Sequence, residues 1–141
     1  MAANAALPLW RLYLLRLAYL IMAVGLAVTI WPQVLEHSTD FALRAGIQCS
    51  LLAGIGFCAA WGLRYPIALL PILLFEVTWK AIYLLAFALP LWRNDALTPP
   101  AIENIQAVLF VVILLPLIPW DLAIKHYLLQ PGDRWWRAPK G

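Results

Sequence analysis

The sequence predicts an all-α, polytopic membrane protein whose four transmembrane helices pack as an antiparallel bundle. Apolar residues make up 65% of the 141 residues and charged residues only 12%, whereas soluble domains have about 25% charged residues. The mean hydropathy of +0.83 agrees with this composition. The apolar residues also fall into four runs, each close to the roughly 20 residues that a helix needs to cross a bilayer.

The first two spans are predicted over about residues 12–31 and 41–63. Trp10 and Trp31 bracket about 31 Å of helix in the first span. No small-residue cleavage site follows this span, so we expect it to remain as an anchor and not to be a signal peptide. The second span follows Ser-Thr-Asp at residues 38–40, side chains that are typical of a helix start.

The third and fourth spans are predicted over about residues 66–91 and 105–124. Pro66 is a favourable first helical residue for the third span. Prolines also lie inside these two spans, where each removes a backbone hydrogen-bond donor and predicts a kink. They are Pro71, Pro116 and Pro119.

Positive charge in the connections predicts the orientation of the bundle. Four spans place both termini and the link between the second and third spans on one side. That side carries seven Lys and Arg residues, namely Arg11, Arg16, Arg64, Lys125, Arg134, Arg137 and Lys140, and the other side carries Arg44 and Arg93. Residues 1–129 are therefore predicted to form a transmembrane domain with both termini in the cytoplasm. Residues 130–141 are predicted to form a cytoplasmic tail.

Two charges interrupt the third span at a depth where charge is unfavourable. Glu76, Trp79, Lys80 and Tyr83 follow the spacing i, i+3, i+4, i+7 and share one face of a helix. Counting from Pro66 places Glu76 about 15 Å and Lys80 about 21 Å from the cytoplasmic end. These four residues are therefore the candidates for ligand binding or proton exchange.

Three interpretations of this face stay open. It could be an ion pair that holds the bundle in register, with Trp79 and Tyr83 as hydrogen-bonding neighbours. It could exchange protons, or it could be a pocket for a headgroup, a quinone or another amphipathic molecule. Polar residues on other spans could contribute, and these are Thr29, Gln48, Ser50 and Gln106.

A ridge of small residues on the second span predicts close helix packing. Gly46, Ser50, Gly54 and Cys58 recur every four residues and would let another backbone approach closely. The partner helix could belong to the same subunit or to a second copy in a homodimer.

The sequence contains no nucleophile elbow, HExxH motif, Walker loop or glycine-rich dinucleotide turn. It predicts neither a cofactor nor a metal, since Glu36, His37 and Asp40 have no second ligand cluster. The scattered basic residues form no patch for nucleic acid. Asp121 is expected to form a solvated pair with Lys125 at i+4.

Five short segments carry a resemblance to known proteins. They are Leu63-Arg-Tyr-Pro66, Leu74-Phe-Glu76, Trp79-Lys80, Leu89-Pro-Leu-Trp92 and Pro131-Gly-Asp-Arg-Trp135. In these segments the chain resembles a group of small bacterial four-helix inner-membrane proteins. This resemblance implies a multi-pass protein of the bacterial inner membrane and brings no activity. In architecture alone the chain is also similar to DoxX-like proteins, some of which are linked to quinone or redox systems.

These observations predict a non-catalytic accessory protein, or a module that binds a lipid-like or quinone-like ligand at the Glu76 and Lys80 face. Its predicted partners are the lipid bilayer, a further copy or another membrane protein, and an amphipathic small molecule. The alternative is a proton-coupled transporter or channel component that acts as an oligomer, because four short spans rarely enclose a pathway alone.

Overall fold

The computed structural model describes residues 7–35 and 39–131, and all regular secondary structure in these ranges is helical. The α-helices are α1 (Leu9–Thr29), α2 (Trp31–Leu35), α3 (Thr39–Gly62), α4 (Leu70–Tyr83), α5 (Leu89–Arg93), α6 (Pro99–Leu109), α7 (Val111–Leu114) and α8 (Trp120–Ile124). Segments of other pitch are the π-helical Leu84–Ala88 and Lys125–Leu129 and the 3₁₀-helical Leu115–Leu117.

Within the described ranges, four helical units are long and apolar enough to cross a membrane. They are Leu9–Leu35, Leu43–Gly62, Leu70–Arg93 and Pro99–Leu117. This confirms the predicted all-helical chain with four apolar helices. The third unit begins later than predicted, and the fourth begins and ends earlier.

The first and second units form the most extensive helix pair. Leu15, Ala18, Tyr19 and Met22 of α1 lie one helical turn or less apart and are all buried. They share a core with buried residues of the other units and of the segment after the fourth, which are Ile55, Ala59, Leu70, Leu73, Leu114, Ile118 and Ala123. The stripe on α1 therefore organises the core.

Two glycines of α3 allow α1 to approach closely. A β carbon added at Gly56 would lie 3.1 Å from Cβ of Leu26, which is tighter than ordinary packing. One added at Gly62 would overlap Cδ1 of the Tyr19 ring. The Tyr19 ring thus packs directly against the backbone of Gly62.

The link after α3 is longer than predicted, because residues 63–69 form turns and α4 begins only at Leu70. The buried Tyr19 hydroxyl donates to the Pro66 carbonyl at 2.8 Å and holds this turn against α1. Pro71 lies in the first turn of α4, where a backbone N–H would have no acceptor within the helix, so its absence breaks no helical hydrogen bond. The predicted kink at Pro71 is therefore wrong, and the Ile67 carbonyl accepts from the Leu70 N–H at 3.3 Å.

Pro90 is accommodated by a local change of helical pitch. The π-helical Leu84–Ala88 precedes it, and the Leu89 N–H donates to the carbonyl of Leu84, five residues back. Single π turns of this kind commonly relieve a disrupted hydrogen-bond ladder. The third unit consequently stays helical as far as Arg93.

The fourth unit breaks at its prolines, as their positions predict. The helix tightens to 3₁₀ pitch around Pro116, and Ile118 is extended with ψ of 128°, the conformation favoured before a proline such as Pro119. The indole N–H of Trp120 donates to the Leu115 carbonyl at 2.7 Å. A side chain thus satisfies the carbonyl that Pro119 leaves without its helical partner.

One surface ion pair joins the beginning and the end of the bundle. Arg11 Nη1 lies 2.7 Å from Asp121 Oδ2, so the predicted pairing of Asp121 with Lys125 is wrong. The Arg11 guanidinium holds the pKa of the Asp121 carboxyl below its ordinary value, chiefly by donating this hydrogen bond. The start of the first unit thus lies beside the segment that follows the fourth, as an even number of antiparallel units requires.

Two sequence predictions fall outside the described residues. Glu36 and His37 are outside the described ranges, and so is most of the predicted tail, residues 132–141.

Replacing Gly62 with alanine is expected to lower the free energy of unfolding by about 1–3 kcal/mol, because the new methyl group overlaps the fully buried Tyr19 ring. Unfolding in detergent micelles, followed by circular dichroism as SDS is added, measures this loss. Gly25→Ala is the control, since its added β carbon meets no atom within 4 Å. Equal stability of the two variants would contradict the close Tyr19 contact.

Candidate functional site

Glu76 is buried on the core side of α4. It follows the fully buried Leu73 by one turn, and 2% of its surface is exposed. The rotation of α4 that places Leu70 and Leu73 in the core therefore also turns Glu76 inward. It is the single buried charged residue in the part of the chain that the structure describes.

Both carboxylate oxygens of Glu76 have a partner one turn further along the helix. Oε1 lies 2.8 Å from Lys80 Nζ, and Oε2 accepts a hydrogen bond from Trp79 Nε1 at 2.7 Å. A buried carboxylate is destabilising unless it is paired and hydrogen-bonded. Here one face of a single helix supplies both requirements.

Lys80 and Trp79 also contact one another. The ammonium nitrogen of Lys80 lies 5.5 Å from the centroid of the Trp79 ring, a distance at which the ring face attracts a cation. The Lys80 side chain is 12% exposed. The three residues thus form a compact group, which we call the Glu76 triad.

The structure places this group nearer the beginning of its helix than predicted. Because α4 begins at Leu70 and not at Pro66, Glu76 lies about 9 Å and Lys80 about 15 Å from that end. The whole unit Leu70–Arg93 is about 35 Å long. Lys80 is therefore near the middle of the unit, and Glu76 is in the half that follows the 63–69 turn.

Tyr83 shares the helix face but does not bond to the triad. Its ring is half-buried and stacks on Phe87 with centroids 6.0 Å apart. Tyr83 instead lines a groove, together with Trp79.

This groove lies between α3 and the third unit, and its volume is about 300 Å³. We call it the α3/α4 groove. Three of its lining residues carry polar groups, namely Gln48, Trp79 and Tyr83, and the apolar ones are Leu51, Leu52, Ile55, Phe75, Ile82 and Phe87. Its volume is at the lower end of the range of small-molecule sites, and its mostly apolar wall with a few polar groups is similar to theirs.

Two polar groups of the groove, those of Gln48 and Tyr83, lie at one depth. Gln48 comes 14 residues before the end of α3 at Gly62, and Tyr83 comes 13 residues after the start of α4 at Leu70. Both are thus about 20 Å from the end that carries the 63–69 turn. Trp79 lies about 13 Å from that end, and apolar residues line the groove on both sides of these polar groups, from Phe75 to Phe87 on the third unit.

The other predicted polar partners lie away from this groove. The Thr29 hydroxyl donates to the Gly25 carbonyl of its own helix at 2.8 Å. Ser50 and Gln106 are exposed and do not line the groove. Gln48 is therefore the predicted partner that the structure brings to the site.

The ridge of small residues is not the surface of α3 that packs inside the subunit. Gly46 and Cys58 are half-buried, whereas Ser50 and Gly54 are exposed, and a β carbon at Gly54 would meet no atom within 4 Å. Small residues that are buried lie on a neighbouring face, and they include Cys49, Ala53, Gly56 and Ala59. The structure therefore differs from the intrasubunit interpretation, and the homodimer seam stays a prediction.

Sequence reasoning missed the apolar wall of the groove. Phe75, Trp79 and Ile82 follow the spacing i, i+4, i+7 and form a stripe beside the charged one. In an apolar span nearly every position is apolar, so this spacing alone could not distinguish a groove wall from a lipid-facing surface.

Lys80→Met is expected to lower the free energy of unfolding by about 3–5 kcal/mol, because it leaves the buried Glu76 carboxylate with Trp79 as its one partner. Glu76→Gln should also destabilise the protein, since Lys80 then lacks its counter-charge. The double variant should lose less than the sum of the two single losses. A double-mutant cycle of unfolding in detergent measures this coupling, and strictly additive losses would contradict a buried pair.

No family model matches the chain, no curated protein matches it, and no solved structure matches it. The resemblance to small bacterial inner-membrane proteins and the likeness to DoxX-like proteins therefore stay predictions. Function is therefore inferred from the contacts in the Glu76 triad and the α3/α4 groove.

Proposed function

We propose that the chain is a multi-pass protein of the bacterial inner membrane that binds an amphipathic, lipid-like or quinone-like small molecule in the α3/α4 groove without catalysing a reaction. The observation that carries this proposal is the groove itself, which combines an apolar wall with Gln48, Trp79 and Tyr83 beside a charge-compensated triad.

Membrane insertion is supported by the outer surface of the helices. Large apolar side chains on it are mostly open to the surroundings, for example Leu43 at 82%, Ile47 at 88% and Val28 at 69%. Monomeric soluble proteins rarely expose large contiguous apolar patches, whereas lipid is a favourable surrounding for such a surface. Four units of spanning length carry it.

Contacts at one end of the bundle support the proposed orientation. Arg16 Nε donates to the Leu63 carbonyl at 3.2 Å, and Arg11 pairs with Asp121. The start of the first unit, the 63–69 turn and the segment after the fourth unit are therefore neighbours. This end gathers the basic residues that the positive-inside rule assigns to the cytoplasm.

The groove suits a ligand with a polar head and an apolar body. The Tyr83 hydroxyl and the Gln48 amide can donate to a carbonyl or other acceptor, since neither makes a hydrogen bond within the described residues. The Trp79 indole N–H is already engaged by Glu76, so its ring contributes a stacking surface. Quinones and lipid-like molecules have this combination of groups.

The contacts of Glu76 favour the binding role over proton-coupled transport. A proton-exchanging carboxyl needs access to water, whereas Glu76 is 2% exposed and both of its oxygens are engaged at 2.7–2.8 Å. We therefore assign the triad a structural role that supports the groove. The exposed Ser50 and Gly54 leave a surface of α3 for a second copy or another membrane protein.

Ile82→Trp is expected to weaken ligand binding at least about tenfold, because the larger indole occupies part of the groove. The probe is a benzoquinone with a ten-carbon tail, and native mass spectrometry from mild detergent counts the molecules bound. The same spectra of the wild type, without added probe, report any molecule carried through purification.

The matched control is Ile113→Trp. Ile113 is also an exposed isoleucine, at 48% against 57% for Ile82, and it does not line the groove. The Ile113→Trp variant should bind the probe as the wild type does. Failure of the wild type to bind the quinone or to retain any lipid-like molecule would overturn the proposed function, and equal loss in both variants would mean that binding is not in the groove.

The proposed orientation predicts opposite accessibility of two exposed sites. With Cys49 and Cys58 replaced by alanine, Arg64→Cys should react with a membrane-impermeant maleimide in inside-out vesicles, and Asp95→Cys should react in right-side-out vesicles. Both residues lie in exposed connections. The reverse labelling pattern would overturn the orientation, and labelling of both sites from one side would mean that the third unit does not cross the membrane.

A further inference from the structure

We propose that Arg16 and Arg64 form a binding site for the phosphate of an anionic phospholipid headgroup at the end of the bundle that carries the 63–69 turn. This inference rests on the proposed membrane insertion. It is independent of the ligand in the α3/α4 groove.

A hydrogen bond between α1 and the turn places Arg16 beside the residue that precedes Arg64. Arg16 Nε donates to the carbonyl of Leu63 at 3.2 Å, and Arg64 is the next residue. This bond uses one of the five guanidinium N–H groups and fixes the plane of the fork. The terminal nitrogens of Arg16, which suit bidentate recognition of phosphate, make no hydrogen bond within the described residues.

A tyrosine accompanies each arginine. Arg16 Cζ lies 5.8 Å from the centroid of the Tyr13 ring, and Arg64 Cζ lies 5.5 Å from that of Tyr65. Both rings are exposed, at 64% and 49%. Tyrosine is enriched where a membrane meets water, so the rings can contact the glycerol region of a lipid whose phosphate meets the guanidinium groups.

Neither arginine is neutralised by an acid in the part of the chain that the structure describes. The two salt bridges among the described residues join Arg11 with Asp121 and Lys80 with Glu76. Asp95 and Glu103 belong to the opposite end of the bundle. The positive charge of Arg16 and Arg64 therefore remains available for an anion.

The depth of Arg16 suits a lipid phosphate better than a soluble anion. Arg16 lies seven residues, or about 10 Å, inside a first unit about 40 Å long. This length exceeds a hydrocarbon layer of roughly 30 Å, so the Cα atom of Arg16 lies near the edge of that layer. Its long side chain can extend from there to the headgroup level. A phosphate carried by a lipid is held at this level.

Native mass spectrometry with defined lipids tests the site. The wild type is titrated with phosphatidylglycerol and, separately, with phosphatidylcholine of the same acyl chains. We expect preferential binding of phosphatidylglycerol, and in Arg16→Gln/Arg64→Gln an apparent affinity for it that is lower by about tenfold or more. Binding of phosphatidylcholine should not change.

The control variant is Arg44→Gln/Arg93→Gln, which removes the same charge from the opposite end. It should bind phosphatidylglycerol within about twofold of the wild type. An equal loss in the two double variants, or no loss in Arg16→Gln/Arg64→Gln, would overturn the proposed site. Displacement of the lipid by excess inorganic phosphate would mean a site for soluble phosphate and would also overturn it.

Two further measurements separate this inference from the proposed function. Ile82→Trp should still bind phosphatidylglycerol, because the groove is a separate site, and loss of lipid binding in this variant would count against two independent sites. Alkaline washing of membranes should leave the wild type and Arg16→Gln/Arg64→Gln integrated. Extraction of the wild type would overturn membrane insertion and this inference together, whereas an integrated wild type without lipid preference overturns this inference alone.

Discussion

The contact on which the arrangement of the third helical unit depends is the hydrogen-bonded ion pair of Glu76 with Lys80 and Trp79. A carboxylate with 2% exposure among apolar helices is tolerated because its own helix supplies both partners. The pair is buried in the same rotation of α4 that places Leu70 and Leu73 in the core, and other rotations would turn both charges away from the protein interior. The same rotation directs Phe75 and Ile82 toward α3 and so creates the groove.

A second group of contacts determines how the helices meet at the basic end. Tyr19 packs against Gly62 and donates to the Pro66 carbonyl, and Arg16 donates to Leu63 one turn earlier on α1. These contacts hold the 63–69 turn against α1. The position of this turn determines where α4 begins. Because four residues of predicted helix become turn, the Glu76 triad lies about 6 Å closer to this end than a helix from Pro66 would place it.

The sequence was sufficient to predict the four apolar helices and the shared helix face of Glu76 and Lys80, because both follow from local spacing. It was insufficient where a tertiary contact decides between local alternatives. Pro66 and Pro71 are each suitable for a first helical turn, and the choice depends on the buried Tyr19 hydroxyl. Small residues occupy two faces of α3, and the face with Gly56 packs on Leu26 while Gly54 stays uncovered. Asp121 had a local partner in Lys125 but pairs with Arg11, 110 positions away.

Trp79 connects the structural and the proposed functional parts of the site. Its indole N–H is held by Glu76, and its ring forms part of the groove wall. The ring therefore cannot leave the groove without breaking a hydrogen bond to a buried carboxylate, a loss that is unfavourable where water cannot replace the donor. The wall is consequently preorganised before any ligand arrives, which reduces the entropy lost on binding. A charged pair within an apolar helix, unfavourable in isolation, thereby keeps an aromatic surface in a fixed position for the proposed amphipathic ligand.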